Sequence, residues 1–262
     1  MQVCRYLLEM FSVPLLRSHA TVGLVDRDRL QLYHANRSVI LVSSAINFST
    51  GDGLDKFIAA IIAFRLLSFE QNGILSSLVE ENVDSLTKNP AISNDGEAVQ
   101  MGHQMVLPPD ESGTRIKLTL GKVISREPTT VGRSTVVLEA KSDKHSEDLV
   151  VKVSWPGSGR VSEVEFIDKA TEEAKGQWAI KHLPKMIYHR TVDLDMDPTF
   201  KSVADLFEGA QFAGKGEFKY ERRVLRIIVQ EKLKPFKSLT NARDMGQVFA
   251  DIACSELTLL CP

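Results

Sequence analysis

The sequence predicts an α+β fold arranged as two successive units. Short runs rich in β-branched residues, separated by turn-forming residues, occur in both halves of the chain. Each set of runs is followed by a segment with helical periodicity. The stretch between them, 88–114, is rich in Asn, Pro, Gly, Asp and Ser and poor in large apolar residues. We therefore predict an N-terminal α+β domain over 1–87, a linker over 88–114 and a second domain over 115–262.

The first unit reads as a small antiparallel meander closed by a helix. Its predicted strands are Thr21–Val25, Leu30–Ala35 and Val39–Ser43, with turns at Asp26-Arg27-Asp28 and Asn36-Arg37-Ser38. The helical periodicity is carried by Phe57, Ile61, Phe64 and Leu67. The apolar stretch 57–67 is about half of the ~20 residues that a membrane span needs. We interpret it as a buried helix.

The second unit has the predicted order β, β, β, α, β. Its segments are Ile116–Ile124, Thr135–Ala140, Leu149–Trp155, a helix over 161–180 and the strand Val224–Val229. A last helical segment is predicted over 242–260.

Composition excludes several classes of function. The formal net charge of -2 gives no electrostatic case for binding nucleic acid, and no segment is suited to a membrane. The cysteines Cys4, Cys254 and Cys261 show no C-x-x-C spacing and leave an odd thiol, which favours a reducing, intracellular compartment. The segment 1–16 carries Arg5 and Glu9, an unfavourable pattern for a signal peptide.

The second unit carries the elements of a nucleotide site in order. A nucleotide needs a glycine-bearing turn for its phosphates, a cation for the phosphate oxygens and an acid that holds the cation. The turn is Val131-Gly132-Arg133-Ser134-Thr135-Val136, and the cation is Lys152, which valines flank on a buried strand. Burying an ammonium without a partner is costly, so Lys152 is expected to pair with an acid. Glu163 is our choice, because Phe166 and Ile167 follow it at helical steps of three and four, which places its carboxylate on the rim of the buried face. Glu165, Glu172 and Glu173 on the same helix are left open.

The last predicted strand of the unit passes into polar residues at Val229-Gln230-Glu231-Lys232-Leu233. Such a connector has a backbone that can hydrogen-bond an adenine ring.

These motifs together resemble the fungal-type protein kinase domain family. The resemblance rests on the Gly-Arg-Ser-Thr-Val turn, the Val-Val-Lys-Val-Ser-Trp-Pro segment around Lys152, Arg160–Glu163, His182–Lys185 and Arg223–Val229. The hairpin Leu24–Leu32 and the helix through Phe57 are similar to the region that precedes the kinase core in that family. The likeness thus covers most of the chain.

The family implies a protein-kinase-like small lobe, an antiparallel sheet plus one helix, that binds ATP with magnesium for transfer to Ser or Thr of a protein substrate. Lys152 would contact the α- and β-phosphates and Glu163 would hold it, below a turn contributed by Gly132, Ser134 and Val136. The resemblance also implies that the segment from Glu231 to Leu233 lines the adenine pocket. Aligned on Val136, Val131 and Ser134 stand where kinases generally carry glycines.

The sequence also departs from the family in its catalytic segments. Nothing after the connector matches H-R-D-x-x-x-x-N or D-F-G, which furnish the catalytic base and the magnesium ligands. We therefore expect the helical large lobe to be mostly absent, with no catalytic or metal residues and no phosphotransfer by this chain alone. The alternative is a non-catalytic, pseudokinase-like interaction module, or a truncated product without function. In either case a protein substrate or partner is expected to cover the exposed face of the small lobe.

Other motifs fail on their details. The segment 209–216 nearly spells a P-loop, but Gly216 lacks the hydroxyl that binds magnesium. The acidic run 193–197 resembles a calcium loop, but Pro198 replaces the required glycine. We interpret the scattered histidines as surface or packing residues, and Trp155 and Trp178 as core residues.

Overall fold

The computed structural model describes residues 2–12, 17–75, 78, 104–107, 109, 115–127, 129–175, 180, 183–194, 203, 205, 220–233, 241, 243, 245–247 and 250. The named elements in this part of the chain are α1 (Gln2–Ser12), β1 (His19–Asp26), β2 (Arg29–Asn36), β3 (Ile40–Val42), β4 (Ile46–Asn47), α2 (Gly51–Leu66), β5 (Gln104–Val106), β6 (Lys117–Arg126), β7 (Val136–Ser142), β8 (Leu149–Ser154), α3 (Glu163–Glu173), β9 (Met186–Val192) and β10 (Leu225–Glu231). Trp178 and the P-loop-like segment 209–216 lie outside the described residues, as does most of the predicted helix 242–260.

The first sheet is the predicted meander. β1 pairs antiparallel with β2, which pairs in turn with β3 and with the short β4. The helix α1, which the sequence did not predict, packs on this sheet because Val3, Leu7 and Phe11 recur at four-residue steps along one side. These side chains form a small core with Ala20 and Ala35.

The predicted helix after the meander is α2, but the expectation that it is buried is wrong. Phe57 and Phe64 are half-buried, and the Phe57 ring lies 4.5 Å from that of Phe48. The opposite side of the helix is exposed and apolar: Leu54, Ile58, Ile61, Ile62 and Leu66. Helical periodicity predicted that Ile61 lies on the buried side of the helix together with Phe57. In the structure only a narrow side of α2 packs on the sheet, and Ile61 is exposed. Among the described residues, no helix is long and apolar enough to cross a membrane.

The second sheet has the strand order β5-β6-β7-β8-β10-β9, and every neighbouring pair is antiparallel. The strands predicted from the sequence form its centre. Two edge strands were not predicted: β9, and β5, which lies inside the predicted linker. Residues 104–107 are therefore part of the second unit, and Met105 and Leu107 are buried in its core.

Side chains alternate strictly across the centre of this sheet. On one face Leu138, Val151, Val153, Ile227 and Val229 form the main core, together with Trp155, whose predicted core position is confirmed. The residues between them, including Lys152, point to the opposite face. That opposite face carries the candidate site.

Candidate nucleotide-binding site

The ammonium of Lys152 is paired with the carboxylate of Glu163. Lys152 lies in the middle of β8, between Val151 and Val153, which point into the core. Its Nζ donates a hydrogen bond to Glu163 Oε2 from the first residue of α3. The two side chains are 26% and 42% exposed, so the pair lies partly open to solvent rather than sealed in the core.

The local sequence of α3 explains why Glu163 is the acid that reaches Lys152. Ser162 is the N-cap: its Oγ accepts a hydrogen bond from Val164 N, and Glu165 Oε1 accepts one from Ser162 N. This capping box commits Glu165 to the helix end. Farther along the helix, Glu172 and Glu173 form exposed pairs with neighbouring lysines. Of the four acids left open by the sequence, the structure brings Glu163 to Lys152.

The inner side of α3 differs from the one that the sequence predicted. Val164 and Ala174 are buried and Ile167 is half-buried, at helical steps of three and seven. Phe166, which the sequence placed beside Glu163 on the buried face, is 62% exposed. Glu163 therefore lies at the edge of the packed side of α3, next to an exposed aromatic ring.

Strand register identifies the apolar residues that share the face of Lys152. Its partners on the neighbouring strands are Val137 on β7 and Ile228 on β10, and directly paired residues of antiparallel strands lie on the same face. Val136 pairs with Val153 and packs against the main core, so the structure places it on the face opposite Lys152. Val137, which the sequence analysis did not select, lies on the face of Lys152, where Val136 was predicted to lie. The alternation of side chains along the paired strands could have identified it, because Val137 is the register partner of Lys152.

The glycine-bearing turn leads into β7, the strand that pairs with the Lys152 strand, and is tied to the first unit. Gly132 has φ 125° and Ser134 has φ 41°, both in the left-handed region. Gly132 N donates to the carbonyl oxygen of Arg37 (2.9 Å), and Ser134 Oγ accepts from Arg37 Nη1 (3.1 Å). Ser134 is buried, and the partner of its side chain is Arg37.

The connector after β10 is held at both sides by backbone and side-chain contacts. Glu231 N donates to Lys185 O (3.1 Å) and Lys232 N donates to Asp148 O (2.8 Å). The Glu231 side chain is paired with Lys185, 2.5 Å away, and this hydrogen bond raises the pKa of Lys185. Leu233 is 60% exposed. Glu231 is the last residue of β10 and Leu233 lies two residues beyond it, so both follow Ile228, the register partner of Lys152, along the chain.

A second ion pair crosses the same face and was not predicted. Lys232 Nζ lies 2.7 Å from Glu139 Oε1, and this hydrogen bond lowers the pKa of Glu139 and raises that of Lys232. Glu139 pairs in register with Val150, two residues before Lys152, so the ion pair joins β7 to the connector over β8. It closes the connector end of the face, whereas the Lys152–Glu163 pair lies toward the glycine-bearing turn.

These features define a class of protein. An antiparallel sheet, a central strand lysine paired with an acid from the following helix, and a connector after the last strand fit a protein-kinase-like small lobe. The family model described as fungal protein kinase matches residues 1–251. The chain therefore belongs to the fungal protein kinase family. Comparisons with curated proteins and with solved structures give no match.

The family uses ATP and magnesium, and the described residues fit the two groups unequally. Lys152 offers a held cation beside the apolar residues Val137 and Ile228, which suits a nucleotide phosphate and an adjoining ring. In the described part of the chain, no group of three or more His, Cys, Asp or Glu residues comes together to hold a metal ion. Magnesium coordination is therefore assigned to no residue here.

Proposed function

We propose that this chain binds ATP in the cleft around Lys152, as the ATP-binding half of a Ser/Thr protein kinase. The observation that carries the proposal is the Lys152–Glu163 pair on the open face of the second sheet. A lysine held by an acid is oriented without being neutralised by burial, and its remaining N–H groups can donate to phosphate oxygens. Glu163 acts as the positioning residue and Lys152 as the phosphate contact.

The apolar part of the cleft would hold the base. Val137 and Ile228 lie on either side of Lys152, and the backbone of the connector at Glu231–Leu233 lies toward the other end of β8. The amides of Glu231 and Lys232 are used within the sheet, which leaves the Leu233 amide without a hydrogen-bond partner among the described residues. We assign adenine recognition to this amide.

The chain alone is proposed not to transfer a phosphoryl group. No segment of the 262 residues reads H-R-D-x-x-x-x-N or D-F-G. Phosphoryl transfer depends on positioning and on charge stabilisation by the groups that these segments supply. The chain is thus proposed to bind ATP without catalysing phosphoryl transfer.

Nucleotide binding is tested by thermal unfolding with millimolar ATP. A ligand at about 100 times its Kd stabilises the folded state by about 2.7 kcal/mol. We expect ATP to raise the Tm of the wild-type chain, and Lys152→Ala to abolish this rise. Glu163→Gln should weaken it, because the neutral amide no longer holds the ammonium.

The matched control is Lys169→Ala, which removes an exposed helix lysine and its ion pair with Glu173. Its ATP-dependent Tm rise should equal that of the wild type. A rise retained in Lys152→Ala would place the nucleotide elsewhere, and no rise in the wild-type chain would reject ATP binding. Inorganic triphosphate and adenosine, tested separately, report on the two ends of the cleft.

A second candidate is a non-catalytic interaction module, favoured by the exposed apolar residues around the cleft. Val161 and Phe166 are 58% and 62% exposed near Glu163, and Leu233 is 60% exposed at the connector. Such residues favour cover by a protein surface. If this face is accessible, Phe166→Lys should lower the fluorescence of a bound hydrophobic dye, while Lys169→Ala should leave it unchanged. Equal fluorescence in Phe166→Lys and the wild type would remove the support for this candidate.

A further inference from the structure

Arg37 connects the first unit to the glycine-bearing turn of the second. It is 2% exposed, although it lies in the turn between β2 and β3 of the first sheet. The Asn36 side chain shapes that turn, because its Oδ1 accepts hydrogen bonds from Ser38 N (2.8 Å) and Val39 N (2.9 Å). The turn projects Arg37 away from its own sheet and into the second unit.

Three polar contacts of Arg37 reach residues 129–134, while its Nη2 donates to Arg17 O (3.2 Å) in the first unit. Its Nη1 donates to Thr129 O (3.0 Å) and to Ser134 Oγ (3.1 Å), on either side of Gly132. Its carbonyl oxygen accepts the Gly132 amide at 2.9 Å. Arg37 therefore holds the turn at both ends and in the middle.

The guanidinium lies between two aromatic rings that belong to different units. Its carbon is 4.3 Å from the ring centroid of Phe11 in α1 and 5.4 Å from that of Trp155, which follows β8. Trp155 N also donates to Arg133 O in the turn. The turn, the end of the Lys152 strand and the first unit are thus joined through one side chain.

The conformation of the turn requires such a contact. Ser134 adopts φ 41°, a left-handed conformation that non-glycine residues rarely take. Backbone conformations of this kind persist where surrounding contacts over-determine them. The contacts from Arg37 hold Ser134 in this conformation, whereas kinases generally have additional glycines at this point of the loop.

We propose that Arg37 is a positioning residue for the nucleotide site: it fixes the conformation of residues 129–134, so that the first unit sets the affinity of the cleft. The part of this proposal that concerns affinity rests on the proposed ATP binding. The part that concerns the turn does not, because it can be measured without nucleotide.

The test compares Arg37→Met with Arg29→Met, which removes an exposed arginine from the same meander. Methionine keeps an unbranched apolar chain against the aromatic rings but cannot donate hydrogen bonds. In the nucleotide-free protein, hydrogen exchange at Gly132 should be about tenfold faster in Arg37→Met, which corresponds to the loss of one or two hydrogen bonds. Arg29→Met should exchange as the wild type does.

Nucleotide affinity is the second readout. If the wild type binds ATP, Arg37→Met should raise its Kd by about tenfold while Arg29→Met does not. Unchanged exchange at Gly132 in Arg37→Met overturns the proposal, and so does unchanged affinity in a chain that binds ATP. A wild type that does not bind ATP rejects the proposed function alone, since the exchange comparison still decides whether Arg37 holds the turn.

Two milder variants guard against a failure to fold. Ser134→Ala removes one contact of Arg37, and Arg37→Lys keeps the charge without the planar fork whose Nη1 reaches Thr129 and Ser134 while its Nη2 is held by Arg17 O. Each should give faster Gly132 exchange than the wild type, with an unchanged far-ultraviolet circular dichroism spectrum. Wild-type exchange in both variants would contradict the proposal.

Discussion

Two ionisable side chains that burial affects, Arg37 and His34, have consequences for the stability of the chain. Arg37 is buried beside Phe11 and Trp155 with carbonyl and hydroxyl acceptors in place of a carboxylate. Burial, followed by the nearby charges of Arg126 and Arg17, lowers its pKa to about 9. The guanidinium remains charged at neutral pH, and its hydrogen bonds offset the cost of removing that charge from water.

We expect His34 to make the stability of the first unit depend on pH. Burial, followed by the charge of His19, lowers the pKa of His34 from 6.5 to about 4. The unfolded chain therefore binds more protons than the folded chain between these values, so the free energy of unfolding should fall as the pH drops from about 6.5 toward 4. Because the ring is only partly buried, we expect a loss of about 1–3 kcal/mol.

Denaturant unfolding at several pH values measures this loss. His34→Gln keeps a polar side chain near Thr21 Oγ1, which lies 2.8 Å from His34 Nδ1, but removes the titration. The variant should lose less stability over the same pH range. The exposed His189→Gln is the control, and an identical pH profile for His34→Gln and the wild type would disprove the assignment.

Residue-level features of the site were only partly predictable. Lys152 could be predicted as a site residue, because a lysine among valines on a buried strand needs a charged partner. Its pairing with Glu163 follows from helix geometry once the capping box is known. Val136 was chosen by motif alignment, which ignores the alternation that puts Val137 on the face of Lys152. Arg37 was named only as a turn residue, since nothing local in the sequence indicates which distant groups a turn will contact.

At the scale of elements, a local sequence motif at the start of α3 positions an acid of the candidate site. Ser162 and Glu165 form the capping box that starts the helix immediately before Glu163. Ser162→Ala should destabilise the protein by about 1 kcal/mol, the usual cost of losing an N-cap side chain. Because fraying of the first turn releases Glu163 from Lys152, the same variant should also reduce the ATP-dependent rise in Tm.

Chemical denaturation and the thermal shift with ATP give these two values. Glu173→Ala, at the far end of α3, is the control and should leave the ATP-dependent rise unchanged. A full ATP response in Ser162→Ala would mean that the start of the helix does not position the acid.

The central strands of the second sheet were predictable because their alternation is strong, whereas the edge strands were not. β9 contains the polar run His189-Arg190-Thr191, and all three side chains are exposed. β5 is a short segment within a polar, proline-containing region, and its pairing with β6 is decided by tertiary contacts of Met105. Edge strands of this kind depend on their neighbours more than on their own residues.

At the scale of the whole molecule, the contacts of Arg37 and Trp155 should make the two sheets unfold together. Trp155 is 1% exposed, belongs to the core of the second sheet and lies against a side chain from the first. In Trp178→Phe it is the sole remaining tryptophan. Its fluorescence should then change in the same denaturant range as the far-ultraviolet circular dichroism of the entire chain.

Adding Arg37→Met to Trp178→Phe should separate the two transitions, because it removes the side-chain hydrogen bonds from Arg37 to Thr129 and Ser134. The separation would appear as a lower midpoint for one probe than for the other. Coincident transitions after that substitution would show that the units are coupled by other contacts.

The outward side of α2 has a practical consequence for handling the protein. Ile58 and Ile62 lie one helical turn apart and are 47% and 53% exposed. Burying such apolar surface is favourable, so these exposed isoleucines promote association between molecules at high protein concentration. Light scattering should therefore rise with concentration. Replacing the pair by Lys and Glu would give a more dispersible sample for crystallisation or magnetic resonance.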